Sequence, residues 1–217
     1  MLIKPKNPEL EFKVRQDYDV HNLRMDFPIL NQEVNGNPLV YLDNGASAQK
    51  PSIVIDEIRS AYETYYSNVH RGIHNLSQKS TEKYEAARAK VANFLNASNC
   101  NEVVFTRNAT EAINLVANSY GRAFLKENDE IIISHLEHHA NIVPWQLLRD
   151  ELGIVLKIVP IDDDGDFIFD EYEKLLGPKT KLIAISHVSN ALGTILPISE
   201  IIRTGHQYGA RILIDGC

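Results

Sequence analysis

The chain has 217 residues, 44% hydrophobic and 24% charged, with 11 Gly and 9 Pro, as in ordinary globular proteins and unlike disordered, collagenous or coiled-coil ones. At roughly 100 to 200 residues per domain, it accommodates one large domain, or a domain and a fragment, with a real core. Its 22 basic and 29 acidic side chains leave a net charge of −7, against nucleic acid or an anionic membrane as main partner; two cysteines make no disulfide framework, and no apolar run reaches the roughly 20 residues that span a bilayer.

Residues 1–17 are charged and Pro-bearing without a clear period, and read as a loose N-terminal arm. They hold no apolar stretch long enough for a signal peptide, so a reduced, cytoplasmic protein is expected. No linker or repeat interrupts residues 18–217. Pro51 announces a helix from Ser52 to Tyr66, with Val54, Ile58, Ala61, Tyr62 and Tyr65 on one stripe. A second helix carries Tyr84, Ala87, Val91, Phe94 and Leu95, and Lys79 to Lys90 supplies its solvated face. Both stripes predict a core face.

From residue 103 the pattern becomes short apolar runs separated by helical stretches: 103–106, 131–133, 155–159, 182–186 and 211–214. Near-continuous β-branched runs suit a sheet covered on both faces, and the spacers are long enough for crossover helices. The expected fold class is α/β, with a parallel or mostly parallel sheet. In such sheets ligands gather outside the carboxyl ends of the strands, so the residues directly after each run carry the functional weight.

After the first run, Asn108 and Glu111 have capping-box spacing ahead of a helix whose buried stripe is Ile113, Val116, Ala117, Tyr120 and Phe124. This reads either as an ordinary capped helix or as an anion site, with the amides of Ala109 and Thr110 facing a phosphate. After the second run stand His135, His138 and His139. They fit a metal site poorly, because no cysteine or carboxylate set completes the ligands; satisfied histidines, or a stacking or proton-handling one, remain open. After the fourth run, Asn190 is placed to donate its amide to a ligand oxygen or to serve as plain turn chemistry, and Gly193 suits close backbone approach. The last run ends at Asp215, a carboxylate expected to be open to solvent at a sheet edge or paired with a protonated nitrogen.

The acidic stretch Asp162 to Asp166 fails as a calcium loop, since the EF-hand position for Gly holds Phe167 even though the Glu position holds Glu173, and reads as an exposed turn between strands.

Taken together, Leu42-Asp-Asn-Gly-Ala-Ser-Ala-Gln-Lys-Pro51, His70-Arg-Gly-Ile-His74, Thr106-Arg-Asn-Ala-Thr-Glu-Ala-Ile-Asn114, Glu137-His-His-Ala-Asn141 with Pro144-Trp145, His187-Val-Ser-Asn190 with Gly193, and Asp215-Gly216 resemble cysteine desulfurases in motif and order. The match is to the subgroup serving Suf-type iron–sulfur cluster assembly, related to selenocysteine lyases. These are class V aminotransferase-type enzymes that depend on pyridoxal phosphate. The resemblance covers about residues 18–217 and implies the large domain of a fold-type I pyridoxal-phosphate enzyme. It also implies that Ala109 and Thr110 hold the cofactor phosphate, that His138 stacks on the ring, that Asp215 pairs with the ring nitrogen, and that Asn190 lies near the cofactor oxygen and the substrate carboxylate. Ala46, His70 and Arg71 are implied at the substrate mouth, the last two across a homodimer interface. The implied substrate is L-cysteine, whose sulfur leaves as an enzyme persulfide for an acceptor protein while L-alanine is released.

The resemblance calls for a Schiff-base lysine in a Ser-Gly-His-Lys turn and a nucleophilic cysteine in a C-terminal domain. Neither stands in its context among these residues, where Cys217 occupies the place of an Ala. Arg203-Thr-Gly-His206 imitates the loop before the family's cysteine, but the nucleophile's position holds Tyr208, and the match reads as coincidence. Cys100 lies in an Asn-rich turn. The sequence is therefore expected to be a truncated large domain without its C-terminal domain, binding the cofactor non-covalently at best and inactive alone. The alternatives are a fragment of a selenocysteine lyase or of another class V enzyme, or a non-catalytic chain acting by association.

Overall fold

A computed structural model describes residues 18–217; the arm read at 1–17 lies outside the described residues. Contacts group the chain into two compact units, Met1–Val103 and Val104–Cys217.

In the first unit, helix α1 (Val20–Met25) is capped by Asp19, which accepts the Asn22 amide at 3.1 Å. A short antiparallel ribbon, β1 (Glu33–Val34) and β2 (Asn37–Pro38), turns at Asn35-Gly36, where φ is 54° and 75°, as a tight hairpin requires. Helix α2 (Ser52–Thr64) starts behind Pro51 as expected, and α3 runs from Asn75 to Phe94. Their apolar stripes do not form a core. No residue of α2 is buried, Ile58 is 55% and Tyr62 69% exposed, and on α3 Phe94 is 88% exposed. The buried positions of α3 are instead Ser77, Ser80 and Ala92. Small residues there let the preceding loop close in: Ser77 Oγ donates to Asn68 O at 2.6 Å and accepts the Gly72 amide at 3.0 Å, and a Cβ on Gly72 would stand 2.7 Å from Ser77 Cβ.

The second unit holds a four-stranded, wholly parallel sheet of β3 (Glu130–Ser134), β4 (Val155–Val159), β5 (Thr180–Ser186) and β6 (Arg211–Asp215), in the order β4-β3-β5-β6. The α/β reading holds. The first run, 103–106, is not one of its strands. Successive side chains of a strand face opposite sides, so Ile131, Ile133, Leu182 and Ala184 pack with α4 (Ala109–Val116), including Ile113, and with α6 (Val143–Leu152), through Trp145 and Leu148. Ile132, Ile183 and Ile185 turn to the other face, among Tyr172 of α7 (Phe169–Leu175) and Ile201 of α8 (Ile198–Gln207). Two covered faces explain why the central runs show no polar alternation. The edge strand β6 is half-buried along Ile212–Asp215.

Helix α4 passes through a π-helical turn, Ala117–Gly121, into α5 (Arg122–Phe124). The wider turn rotates the residues beyond it, so Phe124, read as buried, is 70% exposed. In α8, the Arg203-Thr-Gly-His206 match has a packing role. Thr204 Oγ1 donates to Glu200 O at 2.8 Å, and a Cβ on Gly205 would meet Ile183 Cδ1 at 2.6 Å.

Candidate functional site

Strands β3 and β5 are neighbours, but the chain first leaves β3 to build β4 on its far side. The loops after β3 and β5 therefore diverge at this junction, and an open parallel sheet offers a crevice at such a switch point. A cleft of about 240 Å³ lies here, lined by His135, Glu137, His138 and His139 from one loop and by Ser189, Asn190 and Leu192 from the other. A larger groove of about 570 Å³ runs beside β6, but Val116, Tyr120, Phe124, Leu182, Ile212 and Leu213 make it apolar, with Arg211 its one charged group.

His138 is exposed and caps the 3-10 turn His139–Asn141, its Nδ1 accepting the Ala140 amide at 3.1 Å. A nitrogen that accepts carries no proton, so the neutral ring holds its proton on Nε2. Beneath this turn lies a polar network that sequence reasoning missed. Glu137, 8% exposed, accepts from Ser134 Oγ (2.6 Å) and the Ser186 amide (3.1 Å) on Oε1, and from Ser186 Oγ (2.6 Å) and Asn141 Nδ2 (2.7 Å) on Oε2. Asn141 Oδ1 in turn accepts Trp145 Nε1 at 3.0 Å. The signal was present in the sequence as three positions spaced four apart, 137, 141 and 145.

Asn190 is exposed in a loop closed by Gly193 N to Ser189 O at 2.8 Å and by Leu192 N to Ser189 Oγ at 3.3 Å. Gly193 takes a φ of 75°, and a Cβ there would meet no atom of this chain within 4 Å. Asp215, opposite Ser186 in register, is half-buried and takes the Cys217 amide at 3.1 Å. It has no ion pair among the described residues.

Ala109 and Thr110 form the first turn of α4, which packs against the His139–Asn141 turn. Asn108 Oδ1 accepts the Glu111 amide at 2.9 Å, leaving the Ala109 and Thr110 amides without intrahelical acceptors. The expected reciprocal bond from Glu111 to its cap residue is not made. Its carboxylate takes the Arg107 amide at 2.6 Å and the Arg107 guanidinium at 3.1 and 3.2 Å, which holds it below the usual carboxylate range.

The second unit thus brings His138 and Asn190 to one cleft, with Ala109 and Thr110 on a helix against the same turn. The three histidines join no metal-ligating group among the described residues. The acidic turn is self-satisfied, Asp162 Oδ1 accepting the amides of Asp164 (3.0 Å) and Asp166 (2.9 Å) between bridge partners Ile161 and Phe167; it leads into α7, not a further strand.

Ala46, His70 and Arg71 belong to the first unit, and all three are exposed. Ala46 sits in a turn on Asp43 O, 3.2 Å from its amide. His70 has φ of 61°, uncommon for a side chain of its size, and is held there by its amide on Thr81 Oγ1 (3.0 Å) and by Nε2 against Glu85 Oε1 (3.0 Å). No helix among the described residues is long and apolar enough to cross a membrane.

Residues 40–217 match the family model described as Aminotransferase class-V. The chain is 56% identical over 199 residues to a cysteine desulfurase of Synechococcus elongatus, covering 92% of this chain and 32% of that protein. It is 51% identical over 199 residues to a cysteine desulfurase of Escherichia coli, covering 92% and 49%. The apo structure of a cysteine desulfurase from Thermococcus onnurineus superimposes with a TM-score of 0.83 at 38% identity, over 90% of this chain and 47% of that one. The chain spans about a third to a half of the length of these relatives.

Proposed function

From the aminotransferase class-V family, to which this chain belongs, we propose that it is the cofactor-holding portion of a cysteine desulfurase of the Suf type. In this reading the enzyme takes sulfur from L-cysteine as an enzyme persulfide, releases L-alanine and passes the sulfur to an acceptor protein for iron–sulfur cluster assembly. It works as a cytoplasmic homodimer with pyridoxal phosphate. What supports the reading is a ring-presenting His138 and the Asn190 amide lining one cleft, beside a helix α4 that packs against the His138-capped turn and whose Ala109 and Thr110 amides have no intrahelical acceptor.

The residues present fit that cofactor. Helix N-terminal amides without intrahelical acceptors suit a phosphate, an exposed imidazole suits a planar ring, and a carboxylate without an ion pair among the described residues suits a protonated ring nitrogen. When bound, pyridoxal phosphate supplies an electron sink for bond breaking at the amino-acid substrate. The chain's own groups do the holding: Ala109 and Thr110 bind the phosphate, Asp215 keeps the ring nitrogen charged, and Asn190 orients oxygen atoms by donation. His138, with Nδ1 committed to Ala140, gives or takes protons at Nε2 alone.

None of the lysines here stands in the family's motif; Lys157, for one, lies in β4 and is committed to Glu130 Oε2 at 2.7 Å and Leu175 O at 2.9 Å. The 217 residues by themselves are thus proposed to bind the cofactor reversibly and to turn nothing over. Titrating the purified chain with pyridoxal phosphate, followed by absorbance and dialysis, should show saturable binding that Asp215→Ala and His138→Ala weaken. Adding L-cysteine should give no L-alanine. No saturable binding would overturn the cofactor reading, and L-alanine turnover would overturn the assignment of inactivity.

A further inference from the structure

We infer that Glu137 is a positioning residue that locks the His138 turn across the sheet junction, so that the ring meets the cofactor in one orientation and one tautomer; this rests on the cofactor reading above. Its four accepted hydrogen bonds come from three separate places: the end of β3 (Ser134), the end of β5 (Ser186) and the turn His139–Asn141. Loops that leave a switch point in opposite directions have no ladder between them, and here one side chain supplies the tie. All of its partners are buried: Ser134 is 1%, Ser186 5% and Asn141 0% exposed.

The donor and acceptor pattern has a direction. Every partner of Glu137 donates, so the side chain must be acceptor-only, which an ionised carboxylate is and an amide is not. Asn141 is thereby oriented with Nδ2 toward Glu137 and Oδ1 toward Trp145 Nε1. That orientation holds the turn in which the Ala140 amide sits on His138 Nδ1. A buried carboxylate is costly unless fully bonded, and a purely structural tie between two loops would be served as well by apolar packing. The lone tryptophan, fully buried at the end of the chain of bonds, reports on it.

The test exchanges donor for acceptor, and the double variant does so at constant net charge. Glu137→Gln places an amide against the Asn141 amide and should disturb the network. Asn141→Asp places a second carboxylate against the first. The double variant restores the pairing at residue 141, with Gln Nε2 donating to Asp and to a Ser186 hydroxyl that turns to accept, and Asp accepting both Gln and Trp145. Three readouts apply: Trp145 emission, the 15N pattern of the His138 ring without cofactor (assigned by its loss in His138→Gln), and pyridoxal phosphate affinity with its induced circular dichroism. Both single variants should shift Trp145 emission, convert the His138 pattern from one tautomer to a mixture and weaken cofactor binding by about tenfold or more, and the double variant should recover all three.

Folded single variants that keep the wild-type His138 pattern would overturn the assignment, as would a double variant no better than the singles. Should a single variant fail to fold, Ser134→Ala, which removes one bond to Oε1, decides by the same readouts. If the wild-type chain binds no cofactor while the His138 pattern follows the exchange, the network stands and the cofactor reading falls.

Discussion

The unit ending at Val103 and the unit beginning at Val104 draw on the same kinds of residue and use them differently. Among its described residues the first buries only Ala92 and Val103 of its apolar side chains, beside Ser77 and Ser80. Its helices are tied by polar bonds: Lys83 Nζ and Tyr65 OH both reach Glu57 Oε1, at 2.9 and 2.7 Å, and Ser80 Oγ reaches Tyr65 O at 2.6 Å. The second closes two apolar layers on a sheet whose central strands are almost wholly buried. An amphipathic period shows that a face favours cover; only contacts show that the chain provides it.

The sharpest way to break this contrast is a matched pair of truncations. Ile183→Ala, at a side chain with no exposure, should cost about 3 to 4 kcal/mol in denaturant unfolding, whereas Ile58→Ala, at 55% exposure, should stay within about 0.5 kcal/mol. Equal effects would mean that α2 is covered after all.

A smaller effect tests the core of the second unit from the alkaline side. Burial, first of all, raises the Tyr172 phenol above its ordinary value of 10.0, and its OH donates to Ile201 O at 2.8 Å. The folded state keeps this proton longer than the unfolded chain does. Stability is therefore fully present below pH 10 and declines as pH rises from there through the folded value. Tyr172→Phe should lower stability near neutrality by about 1 kcal/mol and flatten that alkaline decline, read from unfolding midpoints at a series of pH values.

The smallest effect belongs to the first unit. Hydrogen bonds from Lys83, then Tyr65, hold Glu57 below the usual carboxylate range, and its contribution is present above that range and lost as pH falls through the folded value. Lys83→Ala should move the Glu57 titration upward in a carboxyl NMR experiment, with little change in unfolding. A titration left in place would show that the pair is not formed in solution.

The same contrast explains what could be read in the sequence. Runs 131–133 and 182–186 were legible because both faces of β3 and β5 are covered, which leaves no polar alternation to confuse them. The run 103–106 has the same local character, but a strand needs a neighbour, and neighbours are not local. The stripe of α2 was misread for the same reason. At the site, His138, Asn190 and Asp215 were visible because they stand just after or at the end of apolar runs. Glu137 stands in its motif without a legible role, since its meaning depends on Ser186, 49 residues later. Gly193 drew attention as a glycine, and its positive backbone angle is a requirement that the sequence alone did not display.

The strand order β4-β3-β5-β6 also bears on how the sheet is made. Of its four strands, β3 leaves the ribosome first, and it ends up inside the sheet. β4 then pairs on one side of it, β5 on the other, and β6 against β5. Every addition is to an edge that is open when the new strand emerges, so no existing pair has to be parted. At synthesis rates of about 5 to 20 residues per second, each edge waits only seconds for its partner. The arrangement that opens a cleft at the β3–β5 junction is thus also one that can assemble outward in the order of translation.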